Sequence, residues 1–302
     1  MRYLYTFLLL TLILGCEDQI NPELPAAPDI LVVDAFLDNT DSVQSIRLSW
    51  SRPYFDNQLA SGVDGAQINV ERSDGKILQF IGSGAGIYQW DPLADGPLGD
   101  IGDSFELRVL WEEMELTATS KLKRVPEIDS VTFRFEEEDF IFPDSYFAEF
   151  WSRDLIGPGD TYWIKSYKNG QFLNQPNEIN LAFDAGFSEG GNVDGLIFIP
   201  PIRDTINPFE EDEDDSFLSP FEDGDSVYVE IYSITRETFD FLSNVRIQTD
   251  RPGGFAELFA TPLSNVRSNI TYFGDQDMVV TGFFSVSAVE GEGKRLDISE
   301  VD

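Results

Sequence analysis

From Ile30 to Lys121 the chain alternates apolar and polar residues in one short run after another. Ile30-Leu31-Val32-Val33 is a compact β-branched run. Ser45-Ile46-Arg47-Leu48-Ser49-Trp50 alternates as a half-buried strand does, and Ala66 to Arg72 repeats the pattern. Ser73-Asp74-Gly75-Lys76 predicts a hairpin turn, because Asp-Gly accepts positive φ, and Lys76 to Ile81 is then the returning strand. Gly86 to Trp90 opens another strand. Asp103 to Trp111 and Glu115 to Lys121 are expected to pair across a tight Glu112-Glu113-Met114 connection. About seven short strands in roughly 95 residues, with no helical period among them, predict a β-sandwich over residues 30–125.

Val125-Pro126 reads as a domain junction. Beyond it Ile128 to Phe135, Phe147 to Trp151 and Thr161 to Tyr167 predict further strands, the last two separated by Gly157-Pro158-Gly159-Asp160. Residues 169–226 are rich in loop formers and contain six consecutive acids, Glu210 to Asp215, a run expected to stay solvated. Its spacing lacks the alternating ligands and central glycine of an EF-hand loop. Val227 to Tyr232 alternates again. The one helix candidate follows, with Thr235 as N-cap, Glu237 in the first turn, and Phe241, Leu242 and Val245 on one face as far as Ile247. Met278 to Val289 is a final strand or strand pair, ahead of an acidic tail over 291–302. The expected class is mainly β: an N-terminal transthyretin- or immunoglobulin-like sandwich, then a second β-rich domain over 126–290 with one short helix.

Composition narrows the chemistry. A net charge of −35 repels phosphate backbones, so nucleic acid is not an expected partner. There is no histidine, which excludes His-based triads, Cys-His dyads and imidazole metal ligands. Cys16 is the one cysteine, so the chain forms no internal disulfide. Acids are abundant, but no spacing singles out a catalytic pair of the glycosidase kind. No metal, cofactor or catalytic residue is expected. Aromatic residues make up 13% of the chain, and in an all-β protein most should be core rather than a stacking platform. Asn265-Val266-Arg267 and Ser268-Asn269-Ile270 read as a tight loop, explained by turn chemistry or by an interaction surface.

The first residues carry an address. Arg2 precedes an uncharged apolar run, Leu4 to Leu14, then Gly15-Cys16-Glu17-Asp18. A charged start, a short apolar stretch and a small residue at the cut site predict a secretory signal over 1–15. The run is well short of the roughly 20 residues that a membrane span needs. Ile13-Leu14-Gly15-Cys16 resembles a bacterial lipobox, in which the cysteine is acylated and becomes the first residue of the mature chain. Residues 16–29, with Pro22, Pro25 and Pro28, then form an extended lipidated tether. Glu17 and Asp18 resemble the acidic signal that exports Bacteroidota lipoproteins to the outer face of the outer membrane.

Two wider resemblances follow. Val63 to Val70, Asp74-Gly75 and Gly86-Ile87-Tyr88 together resemble the transthyretin-like modules of carboxypeptidase regulatory domains, which are non-catalytic. Further motifs are Val32-Val33-Asp34-Ala35, Pro53 to Asp56, Ile128 to Phe133, Val227 to Ile234 and Thr235 to Leu242. Pro262 to Val266 and Gly282 to Ser287 complete the series. In this order, after the lipobox, they resemble a Bacteroidota lipoprotein family catalogued as a domain of unknown function, the 4249 class. Its members are commonly encoded beside TonB-dependent receptors. The resemblance implies a non-enzymatic outer-membrane lipoprotein partnered with such a receptor, and it brings no catalytic residues. The alternatives are a stand-alone adhesin or glycan-binding lipoprotein and, further off, a carboxylate-dependent hydrolase.

Overall fold

The computed structural model describes residues 29–301 apart from 54, 55, 57, 139–142, 212–215 and 275–278. The signal, Cys16, Glu17, Asp18 and the tether to residue 28 therefore lie outside the described residues, as do four of the six acids in the 210–215 run.

The chain is mainly β. The first seven strands are β1 (Leu31–Asp38), β2 (Gln44–Trp50), β3 (Gln67–Arg72), β4 (Ile77–Gly84), β5 (Ile87–Trp90), β6 (Ser104–Trp111) and β7 (Met114–Lys121). Then come β8 (Ile128–Glu136), β9 (Ser145–Ser152), β10 (Thr161–Lys168), β11 (Gln171–Phe172), β12 (Asn180–Phe183) and β13 (Ser226–Ile234). The last three are β14 (Thr271–Phe273), β15 (Val280–Ser287) and β16 (Val289–Arg295). Among the described residues the longest helix spans Arg236–Thr249, after β13.

The first unit is a nine-stranded sheet in the order β14-β7-β6-β3-β4-β5-β2-β1-β15. Alternation does what the sequence predicts: Leu31, Val33, Ala35 and Leu37 of β1 point into one core with Ile68, Val70, Leu107 and Val109. The Asp74-Gly75 turn forms as expected, with Gly75 at φ 86° and Arg72 N–H donating to Lys76 O at 2.9 Å. At the β6–β7 turn the connection is only Glu112-Glu113. Met114, expected in the turn, pairs with Trp111 and is buried. The sheet curls until β15 lies beside β7, where Val286 N–H donates to Ser120 Oγ at 2.9 Å.

This sheet crosses the expected domain boundary. Strands β14 and β15 come from the far end of the chain, so a cut at Val125-Pro126 does not separate the sheets. Strand β15 pairs in parallel with β1, Leu31 opposite Val280 through Asp38 opposite Ser287. Parallel neighbours need a long crossover, and residues 39–279 supply it. The final segment is also two strands in two sheets, parted at Ala288. Strand β16 joins β13 instead of β15, and it carries residues 291–295, which the sequence places in an acidic tail. Leu296 beyond it is buried.

The second unit combines the sheet β11-β10-β13-β16, with β12 also on β10, and the hairpin β8–β9. Their core holds Phe150, Tyr162, Ile164, Phe198, Phe221, Val229 and Ile231. Val125 packs against both cores, which places the junction in the seam between them. The helix begins where its sequence predicts. Thr235 Oγ1 accepts from Thr238 N–H at 3.2 Å, and Leu242 is buried. Phe283 of β15 stacks on both Phe36 of β1 and Phe241 of the helix, and the edge of Trp163 from β10 meets Phe36.

Candidate functional site

Four features outside the two main cores could carry chemistry. The first is a cleft of about 320 Å³ between the β8–β9 hairpin and the chain from Asp204 to Pro220. Its apolar wall includes Phe147, Phe209 and Phe217, with the last two ring centroids 4.5 Å apart. Arg134 lies in it, donating to Glu136 Oε1 at 2.9 Å and to Asp204 Oδ1 at 3.1 Å. Burial and the neighbouring Glu149 hold the Asp204 carboxyl above its ordinary range, against the pull of Arg134. One guanidinium thus neutralises two of the lining carboxylates.

The second is a group of three carboxylates, Asp154, Asp184 and Asp194, whose oxygens lie within 4.8 Å of one another. Hard cations take such donors. Every one of these acids already accepts hydrogen bonds from the loops it joins. Asp154 accepts from Tyr162 Oη at 2.6 Å and from Gly195 N–H at 3.0 Å. Asp184 accepts from Gly159 N–H at 2.8 Å and Asp160 N–H at 3.0 Å, and Asp194 from Gly157 N–H at 2.9 Å. Burial raises the Asp154 carboxyl. The group acts as a clamp between residues 154–160 and 184–195.

The third is Lys165 on β10. Its ammonium sits 3.7 Å from the centre of the Tyr232 ring and 4.1 Å from that of Trp163. The nearby carboxylate, Glu230, is engaged by two phenols instead, Tyr167 at 2.8 Å and Tyr232 at 3.0 Å. Burial pulls the amine down to about 8. The sequence shows the alternation of Trp163, Lys165 and Tyr167, but their meeting with Tyr232 depends on the β10–β13 register, in which Trp163 faces Tyr232.

The fourth is the 265–270 loop. Asn269 and Ser268 turn back onto β15 and bond its backbone, so turn and edge chemistry explain both. Among the aromatics, Tyr88, Phe105, Phe150, Tyr162, Phe198, Phe221 and Phe284 are fully buried in the cores, while Phe187, Phe209, Phe259 and Phe273 are exposed. Among the described residues no helix is long and apolar enough to cross a membrane.

A comparison with curated proteins finds no match. The sequence pattern of the family described as domain of unknown function DUF4249 matches residues 17–292, from the residue after Cys16 almost to the end of β16. That match spans both units and the strands they exchange, so the chain belongs to the DUF4249 family.

Proposed function

We propose that this protein is an outer-membrane lipoprotein, anchored by acylated Cys16 and facing the cell surface, that serves as a non-enzymatic accessory of a TonB-dependent receptor in nutrient uptake. The observation that carries the reading is the N-terminal arrangement. An uncharged apolar run ends at Gly15-Cys16, two acids follow, and the family match begins at residue 17. The lack of histidine and the ion-paired state of the cleft acids support a binding role rather than a hydrolytic one. The test is purification of the protein from native membranes with identification of what accompanies it. A barrel receptor in near-equal amount is expected.

A second reading, a stand-alone glycan-binding lipoprotein, draws on the cleft beside Phe147, Phe209 and Phe217. Aromatic walls with a few polar groups are what small-ligand sites offer. Specific signals on a glycan array from the soluble 17–302 chain, lost in Phe209→Ala, would favour this reading over the first.

A further inference from the structure

The two ends of the nine-stranded unit have different company. At one end β7 runs on into Lys123 and β15 into Ala288. There Ser233 Oγ of the second unit donates to Lys123 O at 2.8 Å and accepts from Ala288 N–H at 3.2 Å. The opposite end is where the N-terminal segment enters the fold. Ile30 N–H donates to Ser51 Oγ at 3.0 Å, and Ser51 N–H returns to Ile30 O at 2.8 Å. Trp50 N–H donates to Ser61 O at 2.9 Å and Leu31 N–H to Val279 O at 3.3 Å, so both neighbouring segments close around that entry point. The β6–β7 turn reaches the same end, since Trp50 meets Trp111 edge to face and Phe273 of β14 pairs with Glu115.

Among the described residues this end holds Leu59 at 88% exposure, Phe273 at 67% and Val279 at 47%, with Leu110 at 38% beside the β6–β7 turn. A single exposed leucine is ordinary. Leu59, Phe273 and Val279 stand on separate segments that all reach the end where the chain enters, and together they offer apolar side chains around that entry. Among the described residues the charged groups at the same end include Asp29 beside the entry, Glu112 and Glu113 in the turn, Glu115 paired with Arg108 at 3.1 Å, and Arg52 paired with Asp56 at 2.5 Å. The excess is acidic, so apolar contact rather than charge has to supply any seat on a lipid surface.

We infer that this rim, Leu59, Phe273 and Val279, seats on the lipid surface to which the chain is tethered, with the second unit pointing away from the membrane. The inference rests on the reading of Cys16 as a lipid anchor. A tether of residues 16–29 reaches roughly 45 Å when extended, so it permits the seat without strain. The exposed side chains supply the preference for one orientation over free tumbling on the leash.

The test separates the seat from the anchor. The mass of the N-terminal peptide from native membranes reports whether Cys16 is acylated. Independently, the chain from Cys16 onward is coupled through that thiol to a maleimide phospholipid in phosphatidylcholine vesicles, with Phe273→Trp as reporter and Ile77→Trp, on the outer face of β4, as control. With brominated phosphatidylcholine, the tryptophan introduced at 273 should be quenched at least twofold more than the one at 77. A parallel Leu59→Trp reporter should follow it. Equal quenching at 59, 273 and 77 overturns the seat whatever the mass shows. Photocrosslinking from position 273 to a protein instead of lipid in native membranes overturns it too.

Discussion

The side-chain amide of Asn269 pairs with the backbone of Phe284 as a strand would: its Nδ2 donates to Phe284 O at 2.8 Å and its Oδ1 accepts from Phe284 N–H at 2.9 Å. Strand β15 is the edge of the nine-stranded sheet, and this amide satisfies the outward groups of a buried residue there. Asn207 does the same for Ala148 on the edge of β9, at 2.7 and 2.9 Å. Two loops thus finish two sheet edges with one side chain each, at places where unpaired backbone would otherwise be left.

Replacing Asn269 by Ala leaves both Phe284 groups without those partners. A buried hydrogen-bonding group left unmade costs about 1–3 kcal/mol. Urea unfolding of Asn269→Ala should show a loss of that size, with Asn207→Ala showing a similar one. Asn269→Asp keeps an acceptor for Phe284 N–H but sets a carboxylate oxygen against Phe284 O, so its loss should be at least that of the alanine variant.

Gly282 has φ 123° and faces Val33 across the parallel β1–β15 pair, where a Cβ would overlap the Val33 carbonyl. Both the backbone conformation and the lack of space require glycine. Gly282→Ala should therefore cost on the order of 3 kcal/mol or more. Hydrogen exchange should then speed selectively at the amides of β1 and β15. Unchanged protection there would mean that the pairing tolerates the methyl group.

Much of this architecture is legible in local pattern. The alternation of β1 to β7, the Asp74-Gly75 turn and the Thr235 cap are all properties of a few adjacent residues. The exchange of strands between units is not. Nothing near Ala288 says that Phe284 and Val286 enter the first core while Val289 pairs with Tyr232 of the second sheet. The run Gly291-Glu292-Gly293 looks like the start of a tail because it lacks apolar alternation. Its partner explains the glycines: Tyr228 lies across Gly291 and Gly293, and a side chain at either would collide with its ring. The edge role of Asn269 and the Asp154–Asp184–Asp194 clamp depend on residues tens of positions apart, and no local signal marks them.

The Lys165 amine titrates near 8 rather than at its ordinary value, because burial disfavours the charged form. Between those two pH values the unfolded chain binds more protons than the folded one, so this group makes stability rise with pH through the window. Below about 8 it is charged in both states and carries its full desolvation penalty, partly offset by the carboxylates of Glu230 and Asp38 and by the Trp163 and Tyr232 rings. Lys165→Met should flatten the alkaline rise and stabilise the protein at pH 7, by no more than about 3 kcal/mol. Unfolding curves from pH 7 to 10.5 check both. A variant that keeps the rise would assign it to another group.

Phe241 joins the helix, which follows β13 of the second unit, to the nine-stranded unit through Phe283 of β15, with ring centroids 4.2 Å apart, and through Phe36 of β1. Phe241→Ala should cost about 3–5 kcal/mol if the site is fully packed, and somewhat less here because the ring is only partly buried. The diagnostic is where the loss appears. Limited proteolysis should open the 236–249 helix and the seam before either core. Simultaneous loss of both cores would show that the units fold as one.

The decisive measurement on function is purification of the Cys16-anchored protein from native membranes, with quantitative mass spectrometry of its companions and of its N-terminal peptide. An acylated Cys16 and a TonB-dependent barrel in near-equal amount are the predicted result. An acylated protein that purifies alone contradicts the partnership and leaves the glycan-binding reading. A chain without acyl groups contradicts the anchor itself.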